Sequence, residues 1–198
     1  MHALIIVDVQ YDFLPGGALA VPHGDEVITV INRIQEDYDL VVATQDWHPV
    51  GHKSFASVHP GMRPFDVIEL AGQEQVLWPD HCVQGTAGAR LSDQLDIRRV
   101  EAVFRKGTEL DIDSYSAFFD NGKRKRTGLD GYLRDREVSV VSVCGLAADY
   151  CVYFTAMDAL QLGFDTHIIE DAVRAIDGTA YAVKRAAFLQ QGGKLFGE

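Results

Sequence analysis

The 198-residue chain, 47% hydrophobic and 24% charged, is long enough for one domain around a single core and is not composed like a disordered, collagenous or membrane protein. Its formal net charge of -11 repels phosphate backbones, so no nucleic-acid partner is expected. Three cysteines with no C-x-x-C pair exclude a disulfide scaffold and point to a reducing compartment.

Taken in chain order, residues 3–9 (Ala-Leu-Ile-Ile-Val-Asp-Val) form a continuous β-branched run, the pattern of a strand covered on both faces. The run is too short for a signal-peptide core and lacks a basic lead-in, and no segment reaches the ~18 apolar residues of a membrane span. A cytoplasmic protein without membrane contact is expected. Val27, Ile28, Ile31 and Ile34 repeat with helical period, and a second strand follows at 40–44. Residues 45–95 break the pattern, being rich in Pro, Gly and His; a loop of that length is functional or disordered, and Trp47, Phe55, Phe65 and Trp78 argue against disorder. Further strands are expected at 102–105, 138–143 and 166–169, with a helix carrying Tyr153, Met157 and Leu160 between the last two. The run Lys123-Arg-Lys-Arg126, flanked by Asn121-Gly122 and Thr127-Gly128, reads as a solvated loop. The tail from Gly192 offers no more than a stub of a sixth strand. Alternating strands and helices predict a single α/β domain over residues 1–198, with a doubly wound, mostly parallel sheet of five or six strands and helices on both faces. Ligands of such sheets bind outside the carboxyl ends of the strands.

Several groups able to do chemistry fall at those ends. Asp46 and His48 lie two residues apart, so in extended backbone a carboxylate and an imidazole can face one ion, and His81 supplies a third ligand from the far side of the loop. Zn, Fe and Mn all suit two histidines and a carboxylate, and His52 and His59 compete as ligands. Taken alone, each is an ordinary polar loop residue. Cys151 stands where a strand ends and a helix begins, so the helix dipole favours its thiolate and unpaired N–H groups form a candidate oxyanion hole. A thiol nucleophile needs a base: Asp8 closes the first strand, and Lys106, at the end of the third, can pair with it. Cys144 is assigned to packing; Cys82 has no assigned role.

Five spaced segments occur in one order: Val7-Asp8-Val-Gln10-Tyr-Asp-Phe13; Thr44-Gln-Asp46-Trp-His48-Pro; Trp78-Pro-Asp-His81-Cys; Lys106-Gly107 followed by Asp113-Ser-Tyr115-Ser; and Gly145-Leu-Ala147-Ala-Asp149-Tyr-Cys151-Val. With them the chain resembles, from end to end, the nicotinamidase (pyrazinamidase) branch of the isochorismatase-like cysteine hydrolases. The resemblance implies hydrolysis of nicotinamide to nicotinate and ammonia through a thioester, with pyrazinamide as a further substrate. It implies a catalytic triad of Asp8, Lys106 and Cys151 and one divalent metal on Asp46, His48 and His81, zinc foremost, that takes the pyridine nitrogen. The ring slot would be made by Phe13 and Trp78 with Leu19 and Tyr115, and the oxyanion hole by the N–H groups of Ala147 and Cys151, near a cis peptide between Leu146 and Ala147. Whether His52 is a ligand differs among relatives. An amidase of the same superfamily for other amides, and a non-catalytic binding protein on the same fold, are the alternative readings; the sequence leaves a homo-oligomer open.

Overall fold

The computed structural model describes residues 1–197. Six strands form one all-parallel sheet: β1 (His2–Val7), β2 (Leu40–Asp46), β5 (Val100–Lys106), β6 (Val140–Leu146), β7 (Asp165–Arg174) and β8 (Lys194–Phe196). Their order is β5-β2-β1-β6-β7-β8. From β1 the chain first builds outward through β2 to β5, then returns to the other side of β1 with β6 and continues to β8. The order therefore reverses between β1 and β6, and the crevice beyond their carboxyl ends is where a ligand of an open α/β sheet binds.

The apolar run of β1 explains its central place: Ala3 to Val7 are wholly buried, with alternate side chains in two cores. On one face α1 (Glu26–Ile34) buries Val27, Ile28, Ile31 and Ile34. On the other lie α2 (Leu129–Asp135), α3 (Tyr153–Gln161) and α4 (Gly178–Gln190), which bury Leu129, Leu133, Ala156, Ala159 and Phe188. Gly145 lets β6 pass close to β1, since its φ is +106° and a Cβ there would lie 2.0 Å from the carbonyl oxygen of Val7.

Several expected boundaries move. β2 runs on to Asp46, β6 to Leu146, and β7 is ten residues long, while β1 stops at Val7. The sixth strand exists as a three-residue stub. β5 is an edge strand, so alternate side chains such as Glu101 and Val103 face outward and its apolar run is broken. Within the expected loop region 45–95 lies an antiparallel hairpin of β3 (Val67–Leu70) and β4 (Gln73–Val76), turned by Ala71 and Gly72, both at positive φ. The basic run is a loop whose cations are individually engaged: Lys123 with Asp158, Arg124 with the carbonyl of Ala71, Lys125 with Glu109 and Arg126 with Asp130. No helix among the described residues is long and apolar enough to cross a membrane.

Candidate active site

Four strands deliver one side chain each to the crevice. Asp8 follows β1 with φ +49°, a left-handed turn that aspartate tolerates and that bends the chain out of the strand. Asp46 and Lys106 end the neighbouring strands β2 and β5 and are register partners. Cys151 follows β6 in a single π-helical turn, Ala148–Val152, that leads into α3, a local form common where function requires an irregular helix start. The expected α-helical N-terminus at the thiol is therefore replaced by a wider turn.

The three groups singled out from the sequence meet. Lys106 Nζ lies 2.8 Å from Asp8 Oδ2, 3.0 Å from Asp46 Oδ1 and 3.4 Å from Cys151 Sγ, and donates to the carbonyl of Ser114 at 3.0 Å. Ligand atoms of Asp8, Asp46 and Cys151 all lie within 4.8 Å of one another. Asp8 Oδ1 accepts from Thr44 Oγ1 at 2.6 Å. Lys106 and Asp8 are fully buried, and Cys151 keeps 6% of its surface.

Burial decides the resting protonation. It raises the Cys151 thiol well above its ordinary range, Lys106 opposes this, and Asp8 and Asp46 add to it. The dipole-stabilised thiolate expected from the sequence is thus outweighed, and the resting group is a thiol that needs a base. Burial also raises Asp8, against the pull of Lys106. Burial works against the Lys106 cation, but Asp46, Asp8 and Cys151 outweigh it and hold the ammonium charged.

The expected metal ligands also converge. His48 Nδ1 faces the carbonyl of Gly107 at 2.9 Å and His81 Nδ1 that of Pro79 at 2.8 Å, so these nitrogens carry the protons. The two Nε2 atoms, left as bare acceptors, face Asp46 Oδ2 at 3.2 and 3.6 Å. His48 Nε2 is buried without a hydrogen-bond partner. Three electron-rich atoms facing one another in a dry place fit a cation between them, and two imidazoles with one carboxylate are a donor set for zinc, iron or manganese. His52 is differently engaged, with Nδ1 at 2.7 Å from Ser54 Oγ and Nε2 at 3.2 Å from the carbonyl of Ile112; His59 bonds the carbonyl of Lys53. His48, His52 and Asp113 form a second group with metal-binding spacing.

A narrow cleft opens over Cys151 and is lined by all four residues expected to hold a ring, Phe13, Leu19, Trp78 and Tyr115, with Ala147, His81 and Asp46. The peptide between Leu146 and Ala147 is cis. Sequence reasoning missed Asp113, Tyr150 and Ile176, which complete the lining. Tyr150 meets Trp78 edge-on at 4.8 Å. It also missed Gln10, whose amide donates to the carbonyls of Asp46 and Ala89 and accepts from the Asp46 N–H at 2.7 Å, fixing the β2 end against the first loop. Its place in the first of the five spaced segments, two residues after Asp8, was the available signal for it.

Fold and site together define an α/β protein with a buried thiol, carboxylate and ammonium beside a two-histidine, one-carboxylate cluster. An isochorismatase-domain family model matches residues 2–196, and the chain belongs to the isochorismatase family. It is 51% identical over 180 residues to the nicotinamidase of Escherichia coli (strain K12), covering 89% of this chain and 84% of that protein. The solved structure of a nicotinamidase/pyrazinamidase from Acinetobacter baumanii superposes with a TM-score of 0.96 at 46% identity, covering 99% of this chain and 95% of that one. That of the pyrazinamidase of Pyrococcus horikoshii in complex with zinc superposes at 0.81 and 37% identity, covering 100% and 99%.

Proposed function

We propose that the protein is a nicotinamidase, a cysteine amidohydrolase that converts nicotinamide to nicotinate and ammonia and also accepts pyrazinamide. The observation that carries the reading is the contact of Lys106 Nζ with both Asp8 and Cys151 at the floor of a cleft walled by aromatic rings. Identity near one half to a curated nicotinamidase supports the choice of substrate.

In this reading Phe13, Leu19, Trp78 and Tyr115 hold the pyridine ring and aim its carboxamide at Cys151. Asp46, His48 and His81 would hold one divalent cation, zinc first among zinc, iron and manganese, which when bound would supply a Lewis acid for the ring nitrogen. Asp8 takes the proton of the thiol, and the sulfur attacks the amide carbon. The backbone N–H groups of Ala147 and Cys151 receive the developing oxyanion, each worth about 3 kcal/mol. Lys106 keeps Asp8 oriented and offsets the negative charge moving between carboxylate and sulfur. Asp8 returns its proton to the nitrogen as the C–N bond breaks, releasing ammonia and leaving a thioester. It then removes a proton from water attacking that thioester; as the C–S bond breaks Asp8 gives that proton to the sulfur, restoring the thiol, and the acid formed leaves as nicotinate with its proton passing to solvent.

Ammonia release from nicotinamide, pyrazinamide and acyclic amides, with and without chelator, tests the proposal. Turnover confined to the ring amides and lowered by chelator is expected. Acyclic amides as the better substrates, with indifference to chelator, would assign another amidase of the family.

A further inference from the structure

Outside the cleft, the π-helical turn that carries Cys151 is tied to α4 by two charged residues that the mechanism above does not use. Asp149, wholly buried, accepts the backbone N–H of Ile176 on Oδ1 and that of Asp177 on Oδ2, each at 2.9 Å. Ile176 lines the cleft together with Cys151, and Asp177 caps α4 by accepting from the N–H groups of Thr179 and Ala180. Lys184, one turn further along α4, reaches back: its Nζ donates to the carbonyl oxygen of Asp149 at 2.5 Å. The same ammonium lies 4.2 Å from the centre of the Tyr150 ring, with Phe154 at 5.2 Å and Tyr153 at 5.6 Å.

We propose that Asp149 and Lys184 are positioning residues, a brace that fixes the Cys151 turn and the Tyr150–Ile176 wall in the geometry required for attack. The proposal rests on the nicotinamidase reading. Residues 149, 150 and 151 are consecutive, so whatever holds the carbonyl of 149 and the ring of 150 also sets where the sulfur and N–H of 151 point. The π-turn departs from the regular helical ladder that begins only at Tyr153, and the bonds from α4 and the residues leading into it add a constraint on its N-terminal side. The buried carboxylate of Asp149 is held by charge-assisted bonds to two backbone N–H groups, which are stiffer than neutral ones. The aromatic cluster around Lys184 gives the cation a fixed seat rather than a solvated one. Neither residue touches the place where substrate would sit; each acts through Tyr150, Cys151 or Ile176. Displacement of a reacting group by about 1 Å costs on the order of 100-fold in rate, so loosening this brace should appear in the chemistry.

The test uses Lys184→Met, Lys184→Arg and Asp149→Asn in the metal-loaded enzyme, with three readouts: kcat and KM for nicotinamide, the rate of Cys151 alkylation by the small neutral reagent iodoacetamide, and the melting temperature. Lys184→Met is half-buried on the surface of α4, and should fold even if Asp149→Asn does not. The expected result is a fall in kcat of about tenfold or more with KM changed less than about threefold, a parallel slowing of alkylation, and recovery of both in Lys184→Arg, which keeps a donor and a cation. Lys184→Met with a lowered melting temperature but kcat and alkylation within about twofold of wild type would reduce the brace to a stability device and overturn the proposal. So would failure of the arginine variant to recover either rate. Alkylation needs no amide substrate, so a wild-type protein inert to nicotinamide would remove the functional reading while the brace is still decided by the thiol.

Discussion

Lys106 Nζ sits 2.8 Å from Asp8 Oδ2 in a place where neither side chain is reached by water. The same ammonium neutralises Asp46 at 3.0 Å, so one cation is shared by two buried carboxylates. Removing it leaves Asp8 uncompensated, and the loss of a partner from a buried pair costs about 3–5 kcal/mol. Lys106→Met is expected to lower the melting temperature by on the order of 10 °C and kcat by roughly 1,000-fold. Differential scanning calorimetry beside steady-state rates checks both.

The pH profile follows from Asp8. Burial raises its pKa, with Lys106 opposing. Asp8 serves as base only when deprotonated, so kcat/KM should fall as pH drops through the raised value, placing the acid limb above the ordinary carboxylate range near ~4. Asp8 and Cys151 interact, so the limb belongs to the pair rather than to either residue. A profile flat down to that ordinary range would contradict Asp8 as the base.

Gly107 links the metal cluster to β5. Its φ is +65°, and a Cβ there would come within 2.5 Å of His48 Cε1 and 2.7 Å of His48 Nδ1. Its carbonyl also accepts from that nitrogen. Gly107→Ala should therefore turn the His48 ring and weaken metal affinity about 10- to 100-fold, read as metal content per chain after dialysis against graded chelator.

The ring slot makes a separable prediction. Trp78 is buried against Tyr115 and Tyr150, with ring centroids 6.3 and 4.8 Å away. Trp78→Leu should raise KM for nicotinamide by about tenfold with a smaller change in kcat, because it removes ring contact rather than the attacking group. A change confined to kcat would place Trp78 outside the slot.

The sheet was legible because its central strands are buried on both faces, and burial leaves a continuous apolar signature such as that of residues 3–7. The edge strand β5 was legible only in part, since half its side chains face out. The β3–β4 hairpin escaped because its strands are short and half-exposed, with Gln73, Glu74 and Gln75 giving no apolar alternation. The chemistry-bearing residues were readable from their places at strand ends, where Asp8, Asp46, Lys106 and Cys151 do converge. Asp113, Tyr150 and Ile176 were not, because they reach the cleft through loop paths and the π-turn, which no local periodicity encodes. A helix dipole at Cys151 can be inferred from sequence, whereas the burial that opposes it and raises the thiol cannot.

The central claim is that the sulfur of Cys151 carries the acyl group. Rapid quenching of the enzyme with nicotinamide in acid, followed by digestion and mass analysis, tests it most directly, alongside ammonia release by Cys151→Ala. A nicotinoyl group on the peptide containing Cys151, appearing and decaying within turnover, with no ammonia from the variant, is the predicted result. Wild-type ammonia release from Cys151→Ala would contradict the account.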